Sequence, residues 1–558
     1  MRTITISLLG LTLTTGCQSD QQLRDSKPTI EPDLSLTTPA AGAWVNAGLT
    51  SVEGQSQDMQ TIELDGVAAE LHEDGSYTAQ VALERGVNVV EAVGTDLAGD
   101  TMYRRNGVLA GDFADPSKQI HNAAGIRLNQ GGIDLVVEQV EDKATEIDLN
   151  ERLLELNPVY ENSYEVWAWD AASVMVDVEQ LSHADPVLTA TPTSGLLDVS
   201  IVLPDFDVDL LAYGEVVSWD FDVEVELAAT AARIDTSVLI GANDGLLVVD
   251  LAEAELELEG FTYDTSLLPD EIEEIFFVDE IRDLLEEAVL EELEDQVPEL
   301  LEEVLRDLDF TYGTELMGLE IEVAAELADV FVDDDGIEVV ADMLVEIESS
   351  IDQTYAGYLY AGDAILELES SSDLAVGISD DLINRMLFGA WRGGVLEMEM
   401  SSTDDSLNEL VLDRLHTDEA TITVSSNLPP VLVERDGQVE AQIAELMVEI
   451  ETPGGELGDN LTLAVAGFAD VALEVDDGAI RLDLGDLEAI LEVRDNDWGA
   501  SNEAITQLVE EILPIEAFLL LLGDLSIPIP ELSGITVASG EVSRGDNGVG
   551  TLATIDLQ

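Results

Sequence analysis

PDEIEEIFFVDEIRDLLEEAVLEELEDQVPELLEEVLRDLD, Pro269–Asp309, is the longest helix-like run in the chain. Ile281, Leu284, Leu285, Ala288, Val289, Leu293, Val297, Leu300, Leu301, Val304, Leu305 and Leu308 recur mostly at steps of three and four. That spacing puts them on one side of a helix. The opposite side is almost solidly Asp and Glu. Pro269 suits a first helical turn, whereas Pro298 is expected to kink or divide the helix, because it has no N–H and crowds the preceding turn. Such a stripe needs an apolar surface to cover. Nearly everything around it reads as β-strand, so helix and sheet are expected either to share a core or to enclose an apolar cavity.

Composition narrows the function before any motif does. A chain of 558 residues is too long for one core and predicts two to four domains. It carries 120 Asp and Glu against 20 Lys and Arg, a formal net charge of −100. That charge repels nucleic acid and anionic membrane surfaces, which excludes DNA or RNA binding. An acidic, lysine-poor surface also fits salty surroundings, where screening is strong and hydrated carboxylates maintain solubility.

The amino terminus, MRTITISLLGLTLTTGC, has Arg2, an apolar run from Ile4 to Leu13, and small residues ahead of Cys17. The run is too short to span a bilayer and reads as a signal peptide. Cys17 is the only cysteine, so an internal disulfide is impossible. Its place behind Gly16 resembles a bacterial lipoprotein signal, with Thr14 standing where leucine is usual. The resemblance implies lipidation of Cys17, and Gln18 rather than Asp after it points to the outer membrane. Residues 18–36 are polar, contain Pro28 and Pro32, and read as a tether.

From Thr37 to about Leu109 short alternating segments are punctuated by Asp65-Gly66, Asp74-Gly75, Arg85-Gly86 and Ala98-Gly99, as in a β-sandwich. The order of these motifs resembles the bacterial Ig-like modules appended to surface and carbohydrate-active proteins, including those of glucodextranase type. Such modules are usually spacers and sometimes bind glycans or partners. Beyond a connector, Gly125–Asn157 reads as a strand or turn followed by an amphipathic helix. β-rich stretches then cover Tyr164–Thr262, Glu315–Leu374 and Glu419–Val493, with helices at Ser379–Gly393 and Asn502–Leu522. The layout predicts two similar halves, each a curved antiparallel sheet with two helices. Asp333–Asp335 lacks the alternating ligands and distal Glu of a calcium loop and reads as a hairpin turn.

Several landmarks, taken in order, resemble the tubular lipid-binding superfamily of bactericidal permeability-increasing protein, lipopolysaccharide-binding protein and plasma lipid-transfer proteins. They are AGIRLNQGGIDLVVEQV (Ala124–Val140), the Pro269–Leu308 helix, VGISDDLINRMLFGAWRGGVL (Val376–Leu396), NLPPV (Asn427–Val431), and Asn502–Pro514 followed by SIPIPEL (Ser526–Leu532). The resemblance covers roughly Ala123 to the carboxyl terminus. It implies a boomerang of two barrels joined by a central sheet, with an apolar lipid pocket in each half and a non-enzymatic role. Two departures stand out. The disulfide of mammalian members has no cysteine to make it. The cationic tip of the endotoxin-binding members is replaced by carboxylates, so an anionic headgroup is expected to require bridging divalent cations.

Enzyme chemistry finds little support. His72, His121, His183 and His416 are scattered without metal-ligand spacing, and neither a G-x-S-x-G elbow nor a phosphate loop is present. Among 120 acids a carboxylate pair is uninformative, and Arg544-Gly545-Asp546 reads as a turn. Lipid binding asks only for apolar walls. At about 0.8 kcal/mol per buried CH₂, a ~16-carbon chain contributes on the order of 10 kcal/mol before ordering costs. The candidate walls are Leu284, Leu285, Ala288 and Val289 in the first half. In the second half they are Ile383, Met386, Leu387, Ala390 and Trp391, with Leu508, Val509 and Ile512 from the last helix.

The expected fold is therefore β-dominated α+β: signal 1–17, tether 18–36, Ig-like sandwich 37–110, and lipid-binding barrels 118–320 and 321–558. The expected function is non-enzymatic binding, and transfer, of a phospholipid or similar amphiphile. No cofactor, metal or nucleic acid is expected, and the chain is expected to be exported and lipid-anchored through Cys17. The alternative is a structural or adhesive surface lipoprotein whose Ig-like module binds glycans or a partner.

Overall fold

The computed structural model describes residues 34–557 except 97, 146–148, 156, 167–168, 217–218, 244, 253, 265–281, 284, 288, 291–295, 297, 299, 302–311, 317–318, 352–353, 363–365, 369–371, 404–406, 408, 436–437, 477, 513–525, 530–536 and 546–549. Cys17, the signal and most of the tether lie outside the described residues, as do Leu284, Ala288 and much of Pro269–Asp309.

The chain is β-dominated, and among the described residues its sheets are antiparallel apart from one pairing, Ala43–Val45 with Val108–Ala110. Residues 34–110 form the expected sandwich. A four-stranded sheet (Leu34–Thr38, Gly48–Ser56, Ser76–Leu83, Glu70–Leu71) faces a five-stranded one (Ala43–Val45, Thr101–Ala110, Gly86–Asp96, Met59–Leu64, Val67–Ala68). Alternate residues of the two sheets meet in a core of Val52, Ile62, Leu64, Tyr77, Val81, Val90 and Val108, as period-two strands require. The Tyr77 hydroxyl donates to Ser35 O at 2.8 Å, which satisfies its polar end.

Strand Ile120–Asn129 then enters the middle of a seven-stranded sheet. On one side it pairs with Gly336–Ile347 and on the other with Leu374–Ser379. Leu319–Val332 and Tyr312–Leu316 extend the first side; Gly550–Leu557 and Val537–Arg544 extend the second. Sequence from both expected halves therefore shares one central sheet. Each half also has its own long-stranded sheet. The first is built on Trp169–Ser182, Leu196–Val216 and Trp219–Asn243, the second on Gln438–Glu451, Asn460–Asp476 and Ala479–Asn496.

The longest ladder shows how an interruption is written into sequence. Leu197, Val199, Ile201 and Leu203 are buried, then Phe206, Val208, Leu210 and Ala212. The inward parity changes at Pro204-Asp205. Pro204 has no N–H to donate, and Asp205 adopts φ 50° and drops out of the ladder. The register is unbroken across it, Pro204 facing Ala231 and Phe206 facing Ala229, so the ladder is interrupted without an inserted residue while apolar residues return to the core side.

Outward positions are carboxylate-rich, and several sit directly opposite one another: Asp209 with Glu226, Glu215 with Asp220, Glu322 with Glu346, and Glu326 with Asp342. Like charges in facing positions destabilise a sheet, and salt screens them over about 10 Å at 0.1 M. The thermal midpoint is therefore expected to climb by several degrees between low salt and about 1 M NaCl. A flat midpoint in a salt series would remove this repulsion from the account.

Helices cover the sheets where the sequence placed them, though with shorter described spans. Gln130–Ala144 and Leu149–Glu155 follow the first central strand; Asp380–Arg392 and Asn502–Ile512 belong to the second half. In the long acidic run the described residues Arg282, Asp283, Leu285, Glu286, Glu287, Val289, Leu290, Gln296, Pro298, Leu300 and Leu301 are helical. Leu285, Val289 and Leu301 are buried while Asp283 and Glu287 are exposed, the two-faced pattern read from the sequence. Asp333 ends its strand in a turn, accepting from the N–H groups of Asp335 and Gly336 at 2.9 and 3.0 Å and from Arg127 Nη2 at 2.6 Å.

The Ig-like sandwich is not a detached spacer. Val87 and Leu109, on its five-stranded sheet, are buried with Leu359, Leu428, Val431, Val433, Ala444 and Ala466 in a separate apolar cluster. Around it, Val87 N donates to Gln442 Oε1 at 2.7 Å and Gly107 N to Glu445 Oε1 at 2.6 Å. Arg494 bridges Glu445 at 2.6 Å and Asn106 at 3.0 Å. Glu445 reaches across because residues 444–445 form a bulge with Glu445 at φ 52°. A Cβ on Gly107 would lie 2.9 Å from Ala444 Cβ, so this approach needs glycine.

Candidate functional site

Helix Asp380–Arg392 is the element on which the second half turns. Ser379 caps it, its side chain accepting from Leu382 N at 3.2 Å, and Asp380 and Asp381 favour the positive end of the helix dipole. Every residue from Asp380 to Trp391 is buried. Four of them are polar, and each is answered. Asp380 holds Arg544 through two bonds of 2.7 and 2.9 Å. Asp381 accepts from Ala361 N and Gly362 N at 2.5 and 3.2 Å. Asn384 pairs both ways with the backbone of Leu432, at 3.0 and 2.7 Å. Arg385 donates from Nε to Pro116 O at 3.1 Å and from Nη2 to Val345 O at 2.5 Å.

Burial pushes the Asp381 carboxyl from near 3.8 up to about 6; the nearby Asp380 adds to this, while the N–H groups of Ala361 and Gly362 and the charge of Arg85 oppose it. The folded chain thus holds a proton that the unfolded chain has released, so stability falls as pH rises from about 4 to about 6 and stays lowered above it. At about 1.4 kcal/mol per pKa unit, Asp381 accounts for a loss on the order of 3 kcal/mol across that window. Asp381→Asn is expected to flatten this arm of a denaturant-midpoint profile against pH. An unchanged profile would sink the assignment.

The expected wall residues Ile383, Met386, Leu387, Ala390 and Trp391 are each at most 3% exposed and belong to the continuous core. Trp391 is pinned there, its indole Nε1 donating to Ser426 O at 2.8 Å. Leu508 and Val509 are likewise buried, as are Leu285 and Val289 in the first half; Ile512 closes its described helix.

A cavity of about 900 Å³ opens against this helix on the other side. It is lined by Arg385, Phe388, Gly389 and Arg392 from the helix, by Leu344–Ile347, Leu319 and Glu322 from the central sheet, and by Glu348, Ser349, Tyr355, Pro116 and Ser117. Steps of three and four place Arg385, Phe388, Gly389 and Arg392 on one stripe, roughly opposite Met386, Leu387, Ala390 and Trp391. Tyr355 and Phe388 meet edge to face at 5.2 Å, and the Arg392 guanidinium stacks 4.6 Å from the Tyr355 ring centre. Gly389 permits the packing, since a Cβ there would lie 1.9 Å from Ile347 Cδ1. Burial presses the Arg385 guanidinium below its usual range, with Tyr358 and Tyr355 opposing. Sequence reasoning missed this stripe. Its signal was two of only 20 cations spaced seven apart on one helix.

The fold class is thus a β-dominated chain with an Ig-like sandwich docked on a two-part, helix-covered sheet system. Residues 32–111 match the family model of glucodextranase, domain B, consistent with the Ig-like sandwich. Bacillopeptidase F of Bacillus subtilis (strain 168) is 32% identical over 77 residues, 13% of this chain and 5% of that protein, so the chain spans only a small part of this relative's length. Among solved structures, lipopolysaccharide binding protein superposes with a TM-score of 0.41 at 13% identity, covering 80% of this chain and 99% of that one. The fibronectin(III)-like modules of Clostridium thermocellum CbhA give 0.13 at 10%, covering 34% and 92%. Both superpositions are too loose to bear on function.

Proposed function

We propose that this protein is a non-enzymatic binder of a phospholipid or similar amphiphile, exported and held at the bacterial envelope through lipidated Cys17. In this reading it stores, senses or transfers the lipid, with acyl chains held between its helices and curved sheets. The observation that carries it is the cavity of about 900 Å³ between helix Asp380–Arg392 and the central sheet. That size is in the range of small-molecule sites, and the lining divides about equally between apolar side chains and polar ones, among them Glu322, Glu346, Glu348, Arg385 and Arg392. Leu319, Leu344, Val345, Ile347 and Phe388 supply the apolar part. An adhesive role for the Ig-like module is less favoured, because Val87 and Leu109 of its five-stranded sheet are committed to the second half.

Vesicles carrying a self-quenched fluorescent phospholipid test the reading. Dequenching on addition of the purified chain, proportional to its concentration, is expected. No dequenching at any protein-to-lipid ratio would count against it.

A further inference from the structure

We propose that this cavity takes an amphiphile whose head bears a single oxyanion, a carboxylate or a phosphodiester, and that Arg385 receives it directly, in place of the bridging divalent cation expected from the acidic sequence. The inference rests on the amphiphile-binding reading above and adds the chemistry of the head.

Arg385 is 7% exposed. Its Nε and Nη2 donate to the backbone oxygens of Pro116 and Val345. Among the described residues no carboxylate stands within ion-pair distance of it, in a chain with 120 of them. The contrast with other arginines is direct: Arg127 pairs with Asp333 and Glu338, Arg494 with Glu445, and Arg544 with Asp380. A buried cation without a counter-charge is costly, and a bound oxyanion removes that cost through charge-assisted hydrogen bonds.

The surroundings fit such a ligand. A Cβ at Gly389 would stand 3.1 Å from Arg385 Nη1, so the glycine leaves that side of the guanidinium uncrowded. Arg392 holds a second positive charge on the same stripe, stacked on Tyr355. Apolar side chains beside the arginines offer a tail what a free inorganic anion cannot use. Glu322, Glu346 and Glu348 also line the cavity and are exposed; they repel a polyanionic head and so favour one charge over several.

Titration calorimetry on the delipidated full chain, with oleate, oleyl alcohol, a short-chain phosphatidylglycerol and inorganic phosphate, tests this. At least one of the two anionic amphiphiles is expected to bind about tenfold or more tighter than oleyl alcohol, and which one does identifies the head. Inorganic phosphate is expected to bind far more weakly. Arg385→Gln is expected to abolish the preference while leaving oleyl alcohol within about twofold of its original affinity. The comparison on the unsubstituted protein stands even if the variant folds poorly. Equal affinity for the alcohol and both anions, or a preference that survives Arg385→Gln, would overturn the inference while leaving amphiphile binding intact. Failure of all three amphiphiles to bind would remove both.

Discussion

Replacing Trp391 with alanine is expected to lower the unfolding free energy by about 3–5 kcal/mol, the cost of truncating a fully buried large aromatic. Trp391 is 0% exposed and touches three parts of the molecule. Its indole donates to Ser426 O, its ring meets Phe388 of the same helix at 5.6 Å, and it meets Trp44 of the Ig-like module edge to face at 6.0 Å. The loss therefore combines a cavity, an unpaired Ser426 carbonyl and a broken aromatic contact between units. A shift in the urea midpoint at unchanged slope is the readout. A cost below about 1 kcal/mol would mean the site collapses or admits water, against the close packing described.

Arg494→Ala is expected to cost a similar amount, about 3–5 kcal/mol, because it leaves the Glu445 carboxylate buried without its partner. Glu445 has 3% of its side chain exposed, and burial already pushes its carboxyl upward against the pull of Arg494. The same substitution removes the bond from Arg494 to Asn106, so the damage falls on the seam with the Ig-like module. Hydrogen exchange is expected to show deprotection of the backbone N–H groups of Val87 and Gly107, which donate across the seam. Pairing Arg494→Met with Glu445→Leu removes the buried charge but leaves Gly107 N without its acceptor, so it is expected to recover only part of the loss. Unfolding of Arg494→Ala indistinguishable from the unsubstituted chain would show that this network contributes nothing to docking.

The elements were readable because their patterns are local. Ser379 followed by Asp380 and Asp381 marks a helix start, and the alternation around Leu197–Ala212 marks a strand. Even the Pro204-Asp205 break leaves a three-residue step in the buried pattern. The cavity-facing stripe was not readable for a physical reason: helix Asp380–Trp391 is buried all round, so periodicity cannot say which side meets a void. The docking seam was hidden differently. Gln442, Glu445 and Arg494 look like ordinary outward residues of strands, and the partners of Gln442 and Glu445 lie 355 and 338 positions away. Only the fold reveals that outward, at those positions, means toward the sandwich. The Ig-like segment was recognisable by its turn order, but its fixed attachment was not, because attachment depends on a surface the segment does not contain.

Native mass spectrometry of the full chain, purified without added detergent, decides whether the protein carries a lipid. The expected result is a species heavier than the polypeptide by the mass of a bound lipid, released on activation, or stoichiometric uptake when an acyl amphiphile is offered. A chain that stays at its polypeptide mass and takes up no lipid under any loading condition would contradict it.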